Sequence, residues 1–317
     1  MVQKNCVKEK IIVITGPTAI GKSDFAVEIA KIFNGEVISA DSMQIYKGLD
    51  IGTGKITTQE MQGVTHHILD ILPPDAEFSV SDYVELAKKT ITNVINKGKL
   101  PIIVGGTGFY INGLLNGYNF STTAKNEEIR EKWNKLCAEK GKGYVYEKLK
   151  EVDPVSATQI NANDSKRVIR ALEIYETTGK VRGKISNENK NSYDSITIVL
   201  DLDRQSLYER INKRVDKMFS LGLIEEVKRF HHLKDFQSMQ AIGYKEVVEY
   251  LDGKITLDES KELVKKNSRN YAKRQMTFFR WIKTSNKYFI NITKTDEIIE
   301  KIKEFIITQS TMSDIIY

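Results

Sequence analysis

The segment ITGPTAIGKS, residues 14–23, restricts the fold more than any other part of the chain. Gly16 and Gly21 bracket four residues ahead of Lys22 and Ser23, which completes the pattern GxxxxGK[ST]. The run 11–14 reads as a buried strand, and 23–33 carries apolar residues at helical spacing (Phe25, Ala26, Ile29, Ala30, Phe33). Strand, glycine-rich loop and helix in that order aim backbone N–H groups and a helix N-terminus at one point, where an anion is held. Lys22 adds a point charge, and the Ser23 hydroxyl would complete the shell of a Mg²⁺ riding on a phosphate chain.

The rest of the composition sets outer limits. At 317 residues the chain has room for about two domains and a large core. No stretch approaches the ~18 apolar residues of a membrane span, and the polar segment 1–10 lacks the apolar core of a signal peptide. Cys6 and Cys137 stand far apart without a CxxC or a histidine at ligand spacing. They read as free thiols of a cytoplasmic protein with no zinc site. The net charge of +6 suits a polyanion partner no better than a solvated surface, so its distribution must decide.

Strand and helix alternate over 10–117: strands at 11–14, 36–40 and 100–104, helices at 23–33 and 82–96. This is the pattern of a parallel sheet flanked by helices, an α/β fold of the P-loop NTPase kind. From 121 to 190 helical segments (127–139, 144–152, 164–177) follow one another with no convincing strand, ending in the loop KISNENKNSYD at 184–194. A buried strand returns at 195–203, and another is expected at 288–292. The chain is therefore expected to build a core from 1–117 and 195–317, with an all-helical insertion domain at 118–194.

Ligands of open parallel sheets bind beyond the carboxyl ends of the strands. There the second strand delivers Asp41, a candidate Mg²⁺ ligand, general base or helix cap. The third ends in VGGTGFY instead of an acid, which departs from an ordinary ATPase, and Asp70 and Asp201 compete for the metal role. Arg210, Arg214 and Lys217 share one helix face and could clamp a phosphate chain. The segment 257–283 holds eight Lys/Arg against three Asp/Glu, with Tyr271, Phe278, Phe279 and Trp281 interleaved, a composition suited to a nucleic-acid backbone.

Taken together, GPTAIGKS, ISADSMQIYKGLDIGTGK, HHILDI, PIIVGGTGFYINGLL, DPVSATQINANDSKRVIRALEIYETTGK, QAIGYKEVVEYLDG and RNYAKRQMTFFRW resemble the tRNA dimethylallyltransferase (tRNA isopentenyltransferase) family, in the family's order from Gly16 to Trp281. The resemblance implies transfer of a dimethylallyl group from its diphosphate to the exocyclic amine of the adenine just 3′ of the anticodon, position 37, in tRNAs reading codons that begin with U. It puts Asp41, Thr107 and Arg214 at the reacting centre. The diphosphate would lie in the loop Gly16, Pro17, Thr18, Ala19, Ile20, Gly21, Lys22 and Ser23, with Ser23 on Mg²⁺.

Against the anticodon stem-loop the resemblance sets Asp41, Ser42, Met43, Gln44 and Thr107, then Lys166, Arg167, Val168, Ile169 and Arg170. Gln240, Ala241, Ile242, Gly243, Tyr244 and Lys245 follow, with Arg269, Lys273 and Arg274 from the basic segment. Ile20 stands where relatives often carry Ser, a change expected to be harmless because the loop works through its backbone. The zinc finger of eukaryotic relatives is missing, which suggests a bacterial-type enzyme, and the chain is expected to act as a monomer. Three rivals compete: a P-loop nucleotide kinase, an adenylate isopentenyltransferase acting on free nucleotide, and a non-catalytic RNA-binding module. The kinase has no use for DSMQIYKG or the basic segment, and mere binding has none for Lys22, Ser23 and Asp41.

Overall fold

The computed structural model describes residues 8–116, 126–179, 193–284 and 286–308. Cys6, most of the loop 184–194 and the expected boundary at 117/118 lie outside them. Two compact units emerge, one from Met1–Asn116 with Asn191–Tyr317, the other from Gly117–Lys190.

The first unit is built on one six-stranded sheet in the order β3-β2-β4-β1-β5-β6, with every pairing parallel. β1 (Glu9–Thr15) lies between β4 (Leu100–Gly105) and β5 (Tyr193–Asp201). Its Ile11, Ile12, Val13 and Ile14 are fully buried, as expected of a strand covered on both faces. β2 (Gly35–Ser39) joins β4 to the two-residue β3 (His66–His67), and β6 (Asn286–Asn291) closes the other edge. α1 (Lys22–Ile32) leaves the phosphate loop and buries Phe25, Ala26, Ile29 and Ala30 in the main core.

α2 (Thr58–Met61), α3 (Val80–Asn96) and α4 (Gly108–Asn116) precede the second unit. After it come α8 (Arg204–Ser220), α9 (Leu223–Phe230), α10 (Tyr244–Leu251), α11 (Leu257–Trp281) and α12 (Thr295–Ile307). α3 and α11 each begin with a full capping box, Ser79 with Asp82 and Thr256 with Glu259. Lys10 donates to the carbonyls of Phe305 (2.6 Å) and Ile306 (2.9 Å), which places a cation at the C-terminal end of α12.

The second unit is helical throughout its described residues: α5 (Glu127–Val152), α6 (Pro154–Gln159) and α7 (Ser165–Thr178). α5 is broken at Gly141, whose φ of 85° no helix accommodates, so the two segments expected from sequence are the arms of one kinked element. Trp133, Val145, Leu149, Val168, Ile169 and Leu172 form its core. Fully buried Glu173 accepts from Asn126 N (2.8 Å) and Arg130 Nε (2.9 Å) and pairs with Arg170 Nη1 at 2.8 Å.

Most strand ends lie one or two residues from the sequence expectation. β5 starts at Tyr193 because it must pair with Glu9 of β1. β2 stops at Ser39, one residue early; Ala40 N still makes the last ladder bond, to Val104 O at 2.7 Å.

Candidate active site

The neighbouring strands β2, β4 and β1 end side by side, and their carboxyl ends bring Asp41, Thr107 and the phosphate loop into one region. Thr107 N donates to Ala40 O at 3.1 Å, which ties the two outer turns together. In the phosphate loop Gly16 (φ 146°), Ala19 (φ 63°) and Gly21 (φ 101°) have positive φ, so the backbone curls around a concavity. Ile20 is fully buried in the main core. The expectation that this position works through backbone alone therefore needs correcting, because its side chain anchors the loop to the sheet.

Lys22 Nζ donates to the Gly16 (3.1 Å) and Pro17 (2.8 Å) carbonyls. Burial draws its pKa down to about 7, Arg214 adds to the fall, and Asp41 opposes it. A polyanion in the loop would restore the charged form. Arg210 Nη1 donates to Ile20 O (3.1 Å), and Arg214 Nη2 donates to Thr53 O (3.0 Å), so the cationic face of α8 holds both the phosphate loop and the 50–57 segment. Gly54, at φ 57°, gives Arg214 its place, since a Cβ there would be strained and would lie 2.1 Å from Arg214 Nη2, displacing the guanidinium.

Asp41 Oδ1 accepts from Met43 N (2.9 Å) and Gln44 N (3.4 Å), closing a turn. No hydrogen bond among the described residues engages Oδ2. The side chain therefore serves as a local cap and also lines the cavities beside it. Thr107 stands behind this front. Its hydroxyl accepts from Ser42 N (3.0 Å) and donates to Ser42 Oγ (3.3 Å). Burial and then Asp41 push the Tyr271 hydroxyl up to about 12, so it stays protonated near neutral pH.

Two cavities meet here. One, of about 470 Å³, is lined by Gly21, Lys22, Ser23, Lys55 and Lys217. The other, of about 460 Å³, is lined by Met43, Gln240, Ala241, Ile242, Lys245 and Arg274. Thr18, Ala19, Asp41, Thr53, Arg214, Met218 and Tyr271 line both, so the compartment over the phosphate loop and its neighbour share a wall.

Several of the remaining candidates are buried, paired or exposed within their own unit. Val168 and Ile169 are core residues of the helical unit, so their side chains cannot meet a partner. Arg170 is committed to Glu173, while Lys166 and Arg167 are exposed. Gly243 and Tyr244 are buried. Tyr244 donates to Glu226, and a Cβ on Gly52 would strike its ring. Arg269 donates to Asn212 Oδ1 (2.7 Å), and Lys273 is exposed beside Tyr208. Asp70 pairs with Lys55 and Asp201 accepts from Leu202 N; neither lines the cavities around Ser23, which removes both from the metal role.

Two residues that tie the loops of the site together had no signal of their own in the sequence. Gln275 is buried on α11, accepts from Thr18 N (2.9 Å) and donates to Gly106 O (2.9 Å). Glu226, also buried, accepts from Asp50 N (2.9 Å), Ile51 N (2.8 Å) and Gly52 N (2.9 Å) as well as from the Tyr244 hydroxyl (2.7 Å).

The family model for IPP transferase matches residues 44–281, most of the chain. This chain belongs to the IPP transferase family. It is 52% identical over 306 residues to the tRNA dimethylallyltransferase of Caldanaerobacter subterraneus subsp. tengcongensis, covering 94% of this chain and 97% of that one. It is 48% identical over 280 residues to the tRNA dimethylallyltransferase of Bacillus subtilis (strain 168), covering 87% and 89%. Among solved structures, this IPP transferase resembles the tRNA isopentenylpyrophosphate transferase of Bacillus halodurans, with a TM-score of 0.73, 42% identity and coverage of 97% and 100%. It also resembles a eukaryotic dimethylallyltransferase described as acting on tRNA, with a TM-score of 0.81 at 31% identity, covering 95% of this chain and 80% of that one. The α/β fold expected from the phosphate loop is thus the fold of the family.

Proposed function

We propose that this chain transfers a dimethylallyl group from dimethylallyl diphosphate to the exocyclic amine of adenine 37 in tRNAs reading codons that begin with U, acting as a cytoplasmic monomer. The observation that carries the reading is the wall shared by the two cavities. A compartment floored by the phosphate loop suits a diphosphate, and the compartment across Asp41 and Arg214 suits an adenine turned out of its stack. A kinase would set a nucleotide and a phosphoryl acceptor here; the family's own members named above favour the prenyl reaction. Among the described residues no helix is long and apolar enough to cross a membrane.

The chemistry follows from the groups present. As the allylic C–O bond breaks, its electron pair leaves with the diphosphate, and Lys22, Arg214 and the loop N–H groups stabilise the growing charge. The adenine nitrogen forms the new C–N bond and gives up a proton, which Asp41 Oδ2 would accept. Tyr271, held protonated, fixes the base through its hydroxyl. Mg²⁺ fits the donor set, because Ser23 offers one hydroxyl and the diphosphate supplies the other oxygens; the ion would add charge neutralisation at the leaving group. Among the described residues no cluster of His, Cys, Asp and Glu could hold a metal without such a ligand. Lys166, Arg167, Lys245, Lys273 and Arg274 supply surface charge for the RNA backbone.

The test is incubation with radiolabelled dimethylallyl diphosphate, Mg²⁺ and unmodified tRNA, followed by nucleoside analysis. Label is expected in one adenosine of the anticodon loop. Label in free adenosine monophosphate with none in tRNA would overturn the reading.

A further inference from the structure

We propose that Phe109, Phe278 and Trp281 form a stacking platform for an unpaired base beside the flipped adenine, an inference that rests on the tRNA reading above. Phe109 is 59% exposed and Trp281 63%, the largest exposures of any aromatic side chains among the described residues. They are not scattered. The Phe109 ring centroid lies 4.8 Å from that of Phe278, and the Phe278 centroid lies 5.6 Å from that of Trp281, which makes one continuous aromatic ladder. Gly108 permits it, since a Cβ there would lie 2.2 Å from Phe278 Cδ1.

The position of the ladder gives it a purpose. Phe109 follows Thr107 by two residues. Tyr271, Arg274, Phe278 and Trp281 fall on one face of α11 at spacings of three, four and three. The first two line the acceptor cavity. At 1.5 Å per residue the face runs about 15 Å from Tyr271 to Trp281, from the mouth of the cavity out to solvent.

Charge selects the occupant. From 263 to 284 the chain carries seven Lys/Arg and no Asp/Glu, and Arg280 and Lys283 are exposed on either side of Trp281. A hydrocarbon surface or a neutral apolar peptide gains nothing from that field. A polyanion whose bases have flat faces gains from both the field and the rings. Neither Phe109 nor Trp281 holds the core, so the exposed rings are free to bind.

The experiment uses the full chain and an anticodon stem-loop RNA. Phe109→Ala and Trp281→Ala are each expected to weaken stem-loop binding by about tenfold with the KM for dimethylallyl diphosphate unchanged. Ile307→Ala, an equally exposed apolar residue on α12, should leave both unchanged. The chain has two tryptophans, so Trp133→Phe leaves Trp281 as the sole indole reporter. Its fluorescence should be quenched by the stem-loop and not by a duplex RNA of equal length.

Wild-type transfer to the stem-loop with unchanged affinity in both alanine variants would overturn the platform while leaving the prenyl reaction standing. Equal quenching by the duplex would also overturn it. So would self-association of the wild type that Trp281→Ala abolishes, since a second copy would then own the patch. Failure of the wild type to prenylate any RNA, by contrast, sinks the reaction itself.

Discussion

Gln275 and Thr18 join two loops that are far apart in sequence: the Gln275 amide oxygen takes the Thr18 N–H at 2.9 Å, and its nitrogen donates to Gly106 O at 2.9 Å. One buried amide thus fixes the phosphate loop against the turn after β4. Gln275→Leu removes both bonds and leaves a buried N–H and C=O unsatisfied, a cost of about 1–3 kcal/mol for each group. A fall in thermal stability and a rise of about tenfold in the KM for dimethylallyl diphosphate are expected. Gln275→Glu is expected to be no better, because its carboxylate would face the Gly106 carbonyl.

Asp41→Asn retains an oxygen to accept from Met43 and Gln44, so the turn should survive. The amide cannot take a proton, and single-turnover rates should fall by about 10²–10⁴-fold, the usual size of general-base help, with RNA affinity nearly unchanged. Recovery of the rate by high Mg²⁺ would assign the carboxylate to the metal instead.

With Lys22 in the loop, diphosphate binding is expected to depend on pH. Burial holds its pKa at about 7 in the free protein, and an anion in the loop raises it. Affinity should therefore be flat below about pH 7 and fall as pH rises above it, with uptake of up to about one proton on binding. Calorimetry at pH 8 in two buffers of different ionisation enthalpy measures that uptake directly. Lys22→Met should abolish it.

Glu36 sits at the opposite end of the sheet and bears on stability alone. Burial pushes its carboxyl up, but hydrogen bonds from Lys99 (2.8 Å), His67 (2.7 Å) and Lys97 (3.0 Å) outweigh that and hold it at about 2. Its folded value is below its unfolded one, so the stability it contributes is present above about pH 4.5 and is lost as pH falls towards 2. Glu36→Gln should lower the Tm at pH 7 and make little difference near pH 2.

Local pattern announced the phosphate loop, the parallel sheet and the helical insertion, because each rests on spacing that a few residues display. The two-residue β3 and the four-residue α2 are too short to carry a period, and they exist only through neighbours already in place. The lysines and arginines of α11 are visible in sequence; which of them faces the cavity is decided by how α11 packs. Gln275 and Glu226 were unreadable for the same reason, since their partners lie 257 and up to 176 residues away. Val168 and Ile169 show the converse. A motif of five consecutive residues on a helix necessarily turns some of them inward.

The carboxylate of Glu226 has a consequence for the direction of the reaction. Three consecutive N–H groups, at Asp50, Ile51 and Gly52, would make a second anion cradle beside the site, and the protein fills it with an anion of its own. The same loop then turns the Thr53 carbonyl outward to Arg214. A diphosphate entering the cavity therefore meets amide donors on one bank and carbonyl oxygens on the other. Under the proposed reaction that asymmetry would give the substrate a head and a tail, with the phosphates in the loop of Lys22 and the allylic carbon on the side of Asp41.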